Sequence, residues 1–451
     1  MPAVVTPTVN SVLPTSQPIN IPATMEPSGD SGDLPVSIPP GISVNFWHPW
    51  SGEMANLVQY MTTEFNGINE WGIRINPSSF ADDQVLSEKL FSAMEEGADL
   101  PGLVAAPGYL LVGMEEGGVS LEDLNPFIES AVWGLTEEET AGFFPVFWNY
   151  AVEGDRRFGV PAYRTGNFLF YNQSWAQDLG FAQIPASADA FREQACTAAL
   201  SNQFGKKPEN VGTGGWIYSY DPNVFLSWLK SFGGGNISLD PVQVILNGTE
   251  NVESATFIYE MFLPINNCAW LGRQSSPYQY FSNRQALAYS GRLEDILIQE
   301  QVNEINHVND EWTVFPYPSD FAKPVVLIDG SSFAILSADD EIAIAAWEFV
   351  RWMLKPENQK RVVEKTAAFP LSTATLALLE DFREDHPAWG ESISFLPFAE
   401  NISAIPDWPI IKDIFSDISW QLIQFTTTKE NIPGFFEEAD TLLKELGELH
   451  K

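Results

Sequence analysis

The feature that most limits the fold of this chain is a switch of hydrophobic period, repeated along residues 42–106. Ile42-Ser43-Val44-Asn45-Phe46-Trp47 is a short run of β-type residues. Ser51-Gly52 then opens a stretch in which Met54, Leu57, Val58, Met61 and Phe65 fall on one helical face, stopped by Gly67. A second strand (72–75), a second helix (82–96) and the apolar run Leu103-Val104-Ala105-Ala106 follow, the last closed by Pro107-Gly108. Strands alternating with helices predict a parallel sheet covered by helices, and hence an α/β fold.

The pattern continues downstream. Phe158-Gly159-Val160-Pro161 leads toward a second strand segment, Phe168-Leu169-Phe170-Tyr171-Asn172. Pro185 and Ser187 precede a helix carrying Phe191, Ala195 and Ala198. Asp221-Pro222 is a cap and first-turn pair for a helix with Val224, Phe225, Trp228 and Phe232 that stops at Gly233-Gly234-Gly235. Residues 284–289 are expected to enter a turn at Ser290-Gly291, and Val325-Val326-Leu327-Ile328 to turn at Asp329-Gly330 into Phe333-Ala334-Ile335-Leu336. Ser337 can cap the next helix. Asp339, Asp340 and Glu341 sit at its positive end, and Ile342, Ala346, Phe349 and Met353 form its apolar stripe. Pro356 starts another helix, and the last one bears Phe436, Ala439, Leu443 and Leu446.

Composition narrows the partners. The 451 residues are enough for two or three domains with a sizeable core. With 23 basic against 60 acidic residues the formal charge is -37, which repels nucleic acid and anionic lipid. No run of 18 apolar residues occurs. The 15 Trp include more than a core needs, and Trp is a good stacking plate for the apolar face of a sugar; most must still be core, with a few expected to touch a ligand. Cys196 and Cys268 show no metal-ligand spacing with each other or with His, so either a disulfide or two buried thiols is expected, and no cofactor. Residues 1–40, rich in Pro, Thr, Ser and Val, read as an extended tether: the remainder of a lipid-anchored N-terminus, or a native disordered tail.

Several segments, in consistent order from about residue 41 onward, resemble family 1 extracellular solute-binding proteins, the group that includes maltose-binding and glycerol-3-phosphate-binding proteins. They are Val44 to Gly52; Gly159-Val160-Pro161 followed by Phe170-Tyr171-Asn172; Ala346-Trp347-Glu348-Phe349-Val350 to Lys355-Pro356-Glu357-Asn358-Gln359; and Thr366 to Pro370 before Leu371-Ser372. Ala188 and Ala368 depart from the Trp and Tyr usual at those places. The resemblance implies a two-lobed periplasmic-binding-protein fold, type II-like, each lobe a mainly parallel sheet flanked by helices, with a hinge that closes on a ligand between them. By it, lobe one holds residues 41–155 and 286–340, and lobe two 156–285 and 341–451. Cys196 and Cys268 then share a lobe. It also implies a monomer on the outer face of the membrane that hands a carbohydrate to the transmembrane subunits of an ABC importer.

A sugar site needs bidentate polar groups, turn or helix-start N–H groups and aromatic plates, gathered at strand ends. The candidates are Trp47, His48 and Ser51 after the first strand, with Phe80 and Asp83; Tyr163, Arg164 and Thr165; Trp216 in a glycine-rich loop; Ser290, Gly291 and Arg292; Asp329, Gly330, Ser331 and Ser332; and Trp408. Each has a plainer reading: Ser51 as a simple N-cap, His48 as a loop residue, Trp216 as a core anchor. Ala404 and Ile405 stand near where glycerol-3-phosphate binders carry a phosphate-reading Arg, which disfavours a phosphorylated ligand. A glycerol phosphodiester remains the alternative ligand. A glycoside hydrolase is the rival activity, but with 60 acidic residues some carboxylate pair is always available, so that signal is weak. A β-rich adhesion protein fits the tether but not the α/β pattern.

Overall fold

The structure is a computed structural model that describes residues 34, 37–238, 243–244, 246, 248–263, 267–272, 276–319, 324–336 and 339–449. The tether expectation falls almost wholly outside the described residues. Its last part does not hold, because Ile38 is already buried in the fold.

Fourteen strands are described. β1 (Ser43–His48), β2 (Arg74–Ser79) and β3 (Leu103–Ala106) come first, then the small hairpin of β4 (Val152–Glu153) and β5 (Arg156–Arg157). β6 (Val160–Asn172) and β7 (Trp216–Ile217) are followed by a second small hairpin, β8 (Ile237–Ser238) and β9 (Gln243–Val244). β10 (Ala269–Trp270), β11 (Ala288–Arg292), β12 (Trp312–Phe315), β13 (Val326–Ile335) and β14 (Ala399–Asn401) complete the set. Ten of them form one continuous sheet in the order β10-β7-β11-β6-β13-β3-β1-β2, with β12 also on β6 and β14 on β13. The β1–β2, β1–β3, β7–β10, β7–β11 and β13–β14 pairs are parallel. Within this sheet, every antiparallel pair includes β6 or β13.

β6 explains the architecture. All 13 of its residues are buried, as a strand covered on both faces requires. Its first part, to Gly166, pairs with β13, and its second part, from Asn167, pairs with β11 and β12. One strand thus serves both lobes, where the sequence suggested two segments. Pro161 has no N–H to give, and β6 bulges beside it: Tyr163 and Pro161 face the consecutive Ser331 and Ser332 of β13, leaving Ala162 as the extra residue. Two expected turns are strand instead. Ser290-Gly291 lies in β11 opposite Leu169 and Phe168, and Asp329-Gly330 lies inside β13 opposite Thr165 and Arg164. Gly330 makes this possible: at φ +139 its backbone runs so close to β6 that a Cβ would stand 2.1 Å from the Tyr163 carbonyl oxygen.

The pairing also corrects the expected partition. β11 and β12 belong with the far end of β6, so residues 288–315 build the second lobe. The helices Asp340–Met353 and Pro356–Thr366 pack on β1 and on the helix Gly52–Ile68, in the first. Chain order misleads here because the chain returns to the first lobe through β13 before leaving it again. Ser337 lies outside the described residues; Asp339 caps the helix Asp340–Met353, accepting from the N–H groups of Glu341 and Ile342. In the second lobe the helices Pro222–Ser231, Thr249–Phe262, Trp408–Leu422 and Ile432–Leu449 pack together. Cys196 and Cys268 form a disulfide between the helix Ala188–Gln203 and the approach to β10.

Candidate functional site

A cleft of about 810 Å³ opens over the crossing strands. The first lobe contributes Trp50, Ser51, Glu53 and Met54 at one helix start, Asp82 and Asp83 at another, and Lys365 and Thr366 at a helix end. Tyr163 comes from β6, and Asp329, Gly330 and Ser331 from β13. The second lobe supplies Arg292, Glu294, Leu297, Ile298 and Gln301. Ser51 holds the N-cap position of the helix Gly52–Ile68 without making a side-chain cap bond, so its hydroxyl and the first-turn N–H groups face outward. Asp82 does cap its helix, accepting from the Val85 N–H at 2.8 Å.

The cleft is crowded with charge, and most of it is matched. Lys365 pairs with Glu53 at 2.6 Å. Arg292 reaches Glu294 at 3.8 Å and Asp329 at 3.7 Å. Burial, helped by the Asp329 carboxylate, pushes the Asp83 carboxyl up to about 7, against the opposing pull of Lys412 and Arg292. Burial and the Glu294 charge raise the Tyr163 phenol well above its ordinary value, so Tyr163 stays a neutral donor. Trp50, 8% exposed, lies 6.4 Å from Tyr163 between ring centroids and stacks on His48.

The structure therefore gathers Ser51, Asp83, Tyr163, Arg292, Asp329, Gly330 and Ser331 in one cleft, and places the other candidates elsewhere. Trp47 and Phe80 pack on each other outside the lining, 5.0 Å between centroids. His48 is buried beneath Trp50, and burial lowers its imidazole to about 4. Arg164 is a clamp between the crossing strands: it donates to the Tyr163 and Ser331 carbonyls and to the Ser332 hydroxyl, and lies over the Tyr150 ring. Thr165 donates to Glu294. Gly291 packs in β11 against Phe170. Trp408 is buried against Phe415, and Trp216 is buried against Trp228 and Tyr218, so neither serves as an open plate. Trp50, Glu53, Glu294, Gln301 and Lys365 were missed. The signal for Trp50 was present in Trp47-His48-Pro49-Trp50: alternation along β1 sends position 47 to the other face from His48, and Pro49 ends the strand.

A second pocket, of about 560 Å³, belongs to the second lobe alone. Its walls carry Tyr218, Tyr220, Tyr278, Tyr280 and Tyr289, with Asp221, Asp295 and Ser290. Trp216 donates its indole N–H to the Ser290 hydroxyl from behind, at 3.3 Å.

A model of the bacterial extracellular solute-binding protein family matches residues 61–388. Among solved structures, the sugar-binding protein MalE from the phytopathogen Xanthomonas citri is 17% identical with a TM-score of 0.73, the match covering 90% of this chain and 99% of that one. The cyclic alpha-maltosyl-1,6-maltose binding protein from Arthrobacter globiformis is 16% identical with a TM-score of 0.72 and the same coverage. UgpB from Mycobacterium tuberculosis, in complex with glycerophosphocholine, is 14% identical with a TM-score of 0.71, covering 89% and 98%. At these identities the likeness shows the fold. No curated protein matches the sequence. With the family model covering most of the chain, and a two-lobed fold folded around a cleft, this chain belongs to the bacterial extracellular solute-binding proteins.

Proposed function

We propose that this protein is the ligand-capturing component of an ABC importer, which takes a sugar into the cleft between its lobes, closes on it and delivers it unchanged to the membrane subunits. The observation that carries this reading is the cleft itself: its walls come from both lobes and its floor from β6 and β13. A ligand touching both walls binds the closed form better than the open one, and so drives closure. Trp50 and Tyr163 supply aromatic surface, and Ser51, Asp83, Asp329, Ser331 and Gln301 supply hydrogen bonds, which suits a molecule with apolar faces and hydroxyl edges. Trp50 replaces Trp47, Trp216 and Trp408 as the proposed plate.

The glycerol-phosphodiester reading is weaker, because both cleft cations, Lys365 and Arg292, lie within 4 Å of carboxylates, which offset their pull on a phosphate. A monomer tethered outside the cytoplasmic membrane through the segment before Ile38 and a lipid anchor completes the proposal, with no catalytic step and no nucleic-acid partner.

A thermal-shift series with neutral mono- and oligosaccharides tests it. A bound sugar should raise the midpoint, equivalent to about 2.7 kcal/mol at a hundredfold excess over Kd, and be recovered intact by chromatography. Trp50→Phe should shrink the ligand-induced rise. A rise with glycerophosphodiesters and with no sugar would overturn the assignment of ligand.

A further inference from the structure

The second pocket differs from the cleft in its acids: neither of the pocket's two has an ion pair among the described residues, whereas three of the cleft's five do. In the cleft, Glu53, Glu294 and Asp329 each have a cation within 4 Å. In the pocket, Asp221 and Asp295 have none among the described residues. Asp221 accepts only the first-turn N–H groups of Asn223 and Val224. Asp295 accepts the Tyr278 hydroxyl at 2.7 Å and the Arg292 backbone N–H at 2.8 Å. Burial pulls the Asp295 carboxyl upward, against the opposing pull of the Tyr278 hydroxyl, the Arg292 backbone N–H and the Arg292 charge, which stands outside the pocket lining. Among the described residues the lining holds no Lys, Arg, His, Asn or Gln; the rest is tyrosine, serine and a few apolar residues.

A second observation is independent of the acids. The Tyr289 side chain is fully buried, lines this pocket, and its hydroxyl meets no hydrogen-bond partner among the described residues. A buried hydroxyl is costly to leave unpaired, so one on a residue that lines a pocket points to a place for a ligand atom. Tyr278 stands edge-on to Tyr289 at 6.2 Å. Aromatic faces beside carboxylates that hold no ion pair form a cage for a cationic nitrogen: the ring quadrupoles and the acids attract the charge together.

We propose that the tyrosine-lined pocket of the second lobe takes a positively charged nitrogen, so that the solute is an amine- or ammonium-bearing sugar in place of a neutral one. This rests on the capture of a sugar argued above and names its chemical class. The cationic group enters between Tyr278, Tyr280 and Tyr289, with Asp221 and Asp295 as counter-charges and the Tyr289 oxygen as an acceptor for an N–H.

The test is calorimetric titration of the full chain at pH 7 with paired probes. Glucosamine and glucose differ at one amine; choline and 3,3-dimethylbutan-1-ol differ by one charge; glucuronate is the acidic control. The expected result is at least tenfold tighter binding of glucosamine than glucose, and of choline than its neutral carbon analogue. Asp221→Asn, which keeps a good helix cap while removing the charge, should cut both preferences severalfold. If glucose binds as well as glucosamine, the sugar reading stands and the cationic site falls. If choline is preferred while no sugar binds, the pocket holds and the sugar reading falls. Preference for glucuronate overturns the proposal and points to Arg273, which lies outside the described residues between Gly272 and Ser276. Absence of binding by every probe overturns it too.

Discussion

The two cavities share a molecule but not a construction. The cleft is assembled from both lobes around β6 and β13, and three of its carboxylates, Glu53, Glu294 and Asp329, are matched by Lys365 and Arg292. The second pocket is walled by one lobe, its tyrosines held by a packed aromatic cluster, and its two acids have no ion-pair partner among the described residues. A ligand confined to the second pocket would touch the same atoms whatever the angle between the lobes. It would therefore have no leverage on closure. A ligand in the cleft gains contacts only as the lobes approach. The difference separates two tasks usually merged in one site: the pocket can choose the ligand, and the cleft can report that it has arrived.

The most severe way to break the comparison is at the crossing strands. Gly330→Val puts a branched side chain at φ +139, with its Cβ position 2.1 Å from the Tyr163 carbonyl oxygen. Strand separation there should cost about 3 kcal/mol or more, seen as a lower urea midpoint, and abolish ligand-induced compaction in solution scattering. The second-lobe pocket should keep its small-probe binding at temperatures where the variant remains folded. If both functions vanish together while the protein stays folded, the pocket is not independent of the cleft.

The reverse experiment comes next in size. Gly215, at φ +53, leads into β7, and a Cβ there would fall 2.0 Å from the Cys268 carbonyl oxygen, so the disulfide and the floor of the pocket are one packed unit. Replacing Cys196 and Cys268 by Ser should cost about 2–4 kcal/mol, measured by denaturant unfolding. It should weaken probes of the pocket more than those of the cleft.

How much of this could be read beforehand depends on whether the information was local. The elements around residues 42–106 follow from period alone, and β1, β2, β3 and their two helices are where the alternation puts them. Asp221 and Ser187 cap the helices they precede, because capping is a matter of three or four residues. Ser290-Gly291 and Asp329-Gly330 look like turns for the same local reason, yet each pairs with residues more than a hundred positions away in β6. Glycine signals either a reversal or a close approach of two backbones, and only the partner strand decides. The site shows the same division. Ser51 and Asp83 sit at helix starts and Arg292 at a strand end, places visible in the sequence, whereas Tyr163 and Asp329 lie within β6 and β13. Arg164 sits beside Tyr163 but points the other way, into a clamp. The tyrosine pocket is assembled from residues 217 to 416 with no motif in common.

Acidity offers a finer separation. The Asp83 carboxyl, raised to about 7 in the folded protein, binds its proton more tightly than in the unfolded chain. The folded state therefore holds more protons between pH 4 and 7, and its stability falls as pH rises through that window. Asp83→Asn should flatten this fall in a series of melting curves. His48, lowered to about 4 by burial, acts in the opposite sense: its stability contribution is lost as pH falls from about 6.5 toward 4. Asp83 lines the cleft and His48 lies beneath its Trp50, so choline binding in the second pocket should be insensitive to Asp83→Asn.

The smallest expected change is the sharpest test of the pocket. Tyr289→Phe removes a hydroxyl that has no hydrogen-bond partner among the described residues and leaves the ring stacked on Phe170 at 4.5 Å. A hydroxyl kept only for packing would cost the fold something to bury, so its loss should be neutral or slightly stabilising, within about 1 kcal/mol. If that hydroxyl meets the ligand, the same variant should instead lose severalfold in affinity for glucosamine while its melting midpoint without ligand stays in place. Unchanged affinity would mean that the cavity's tyrosines serve the core of the second lobe. The comparison with the cleft would then reduce to one site and one well-packed wall.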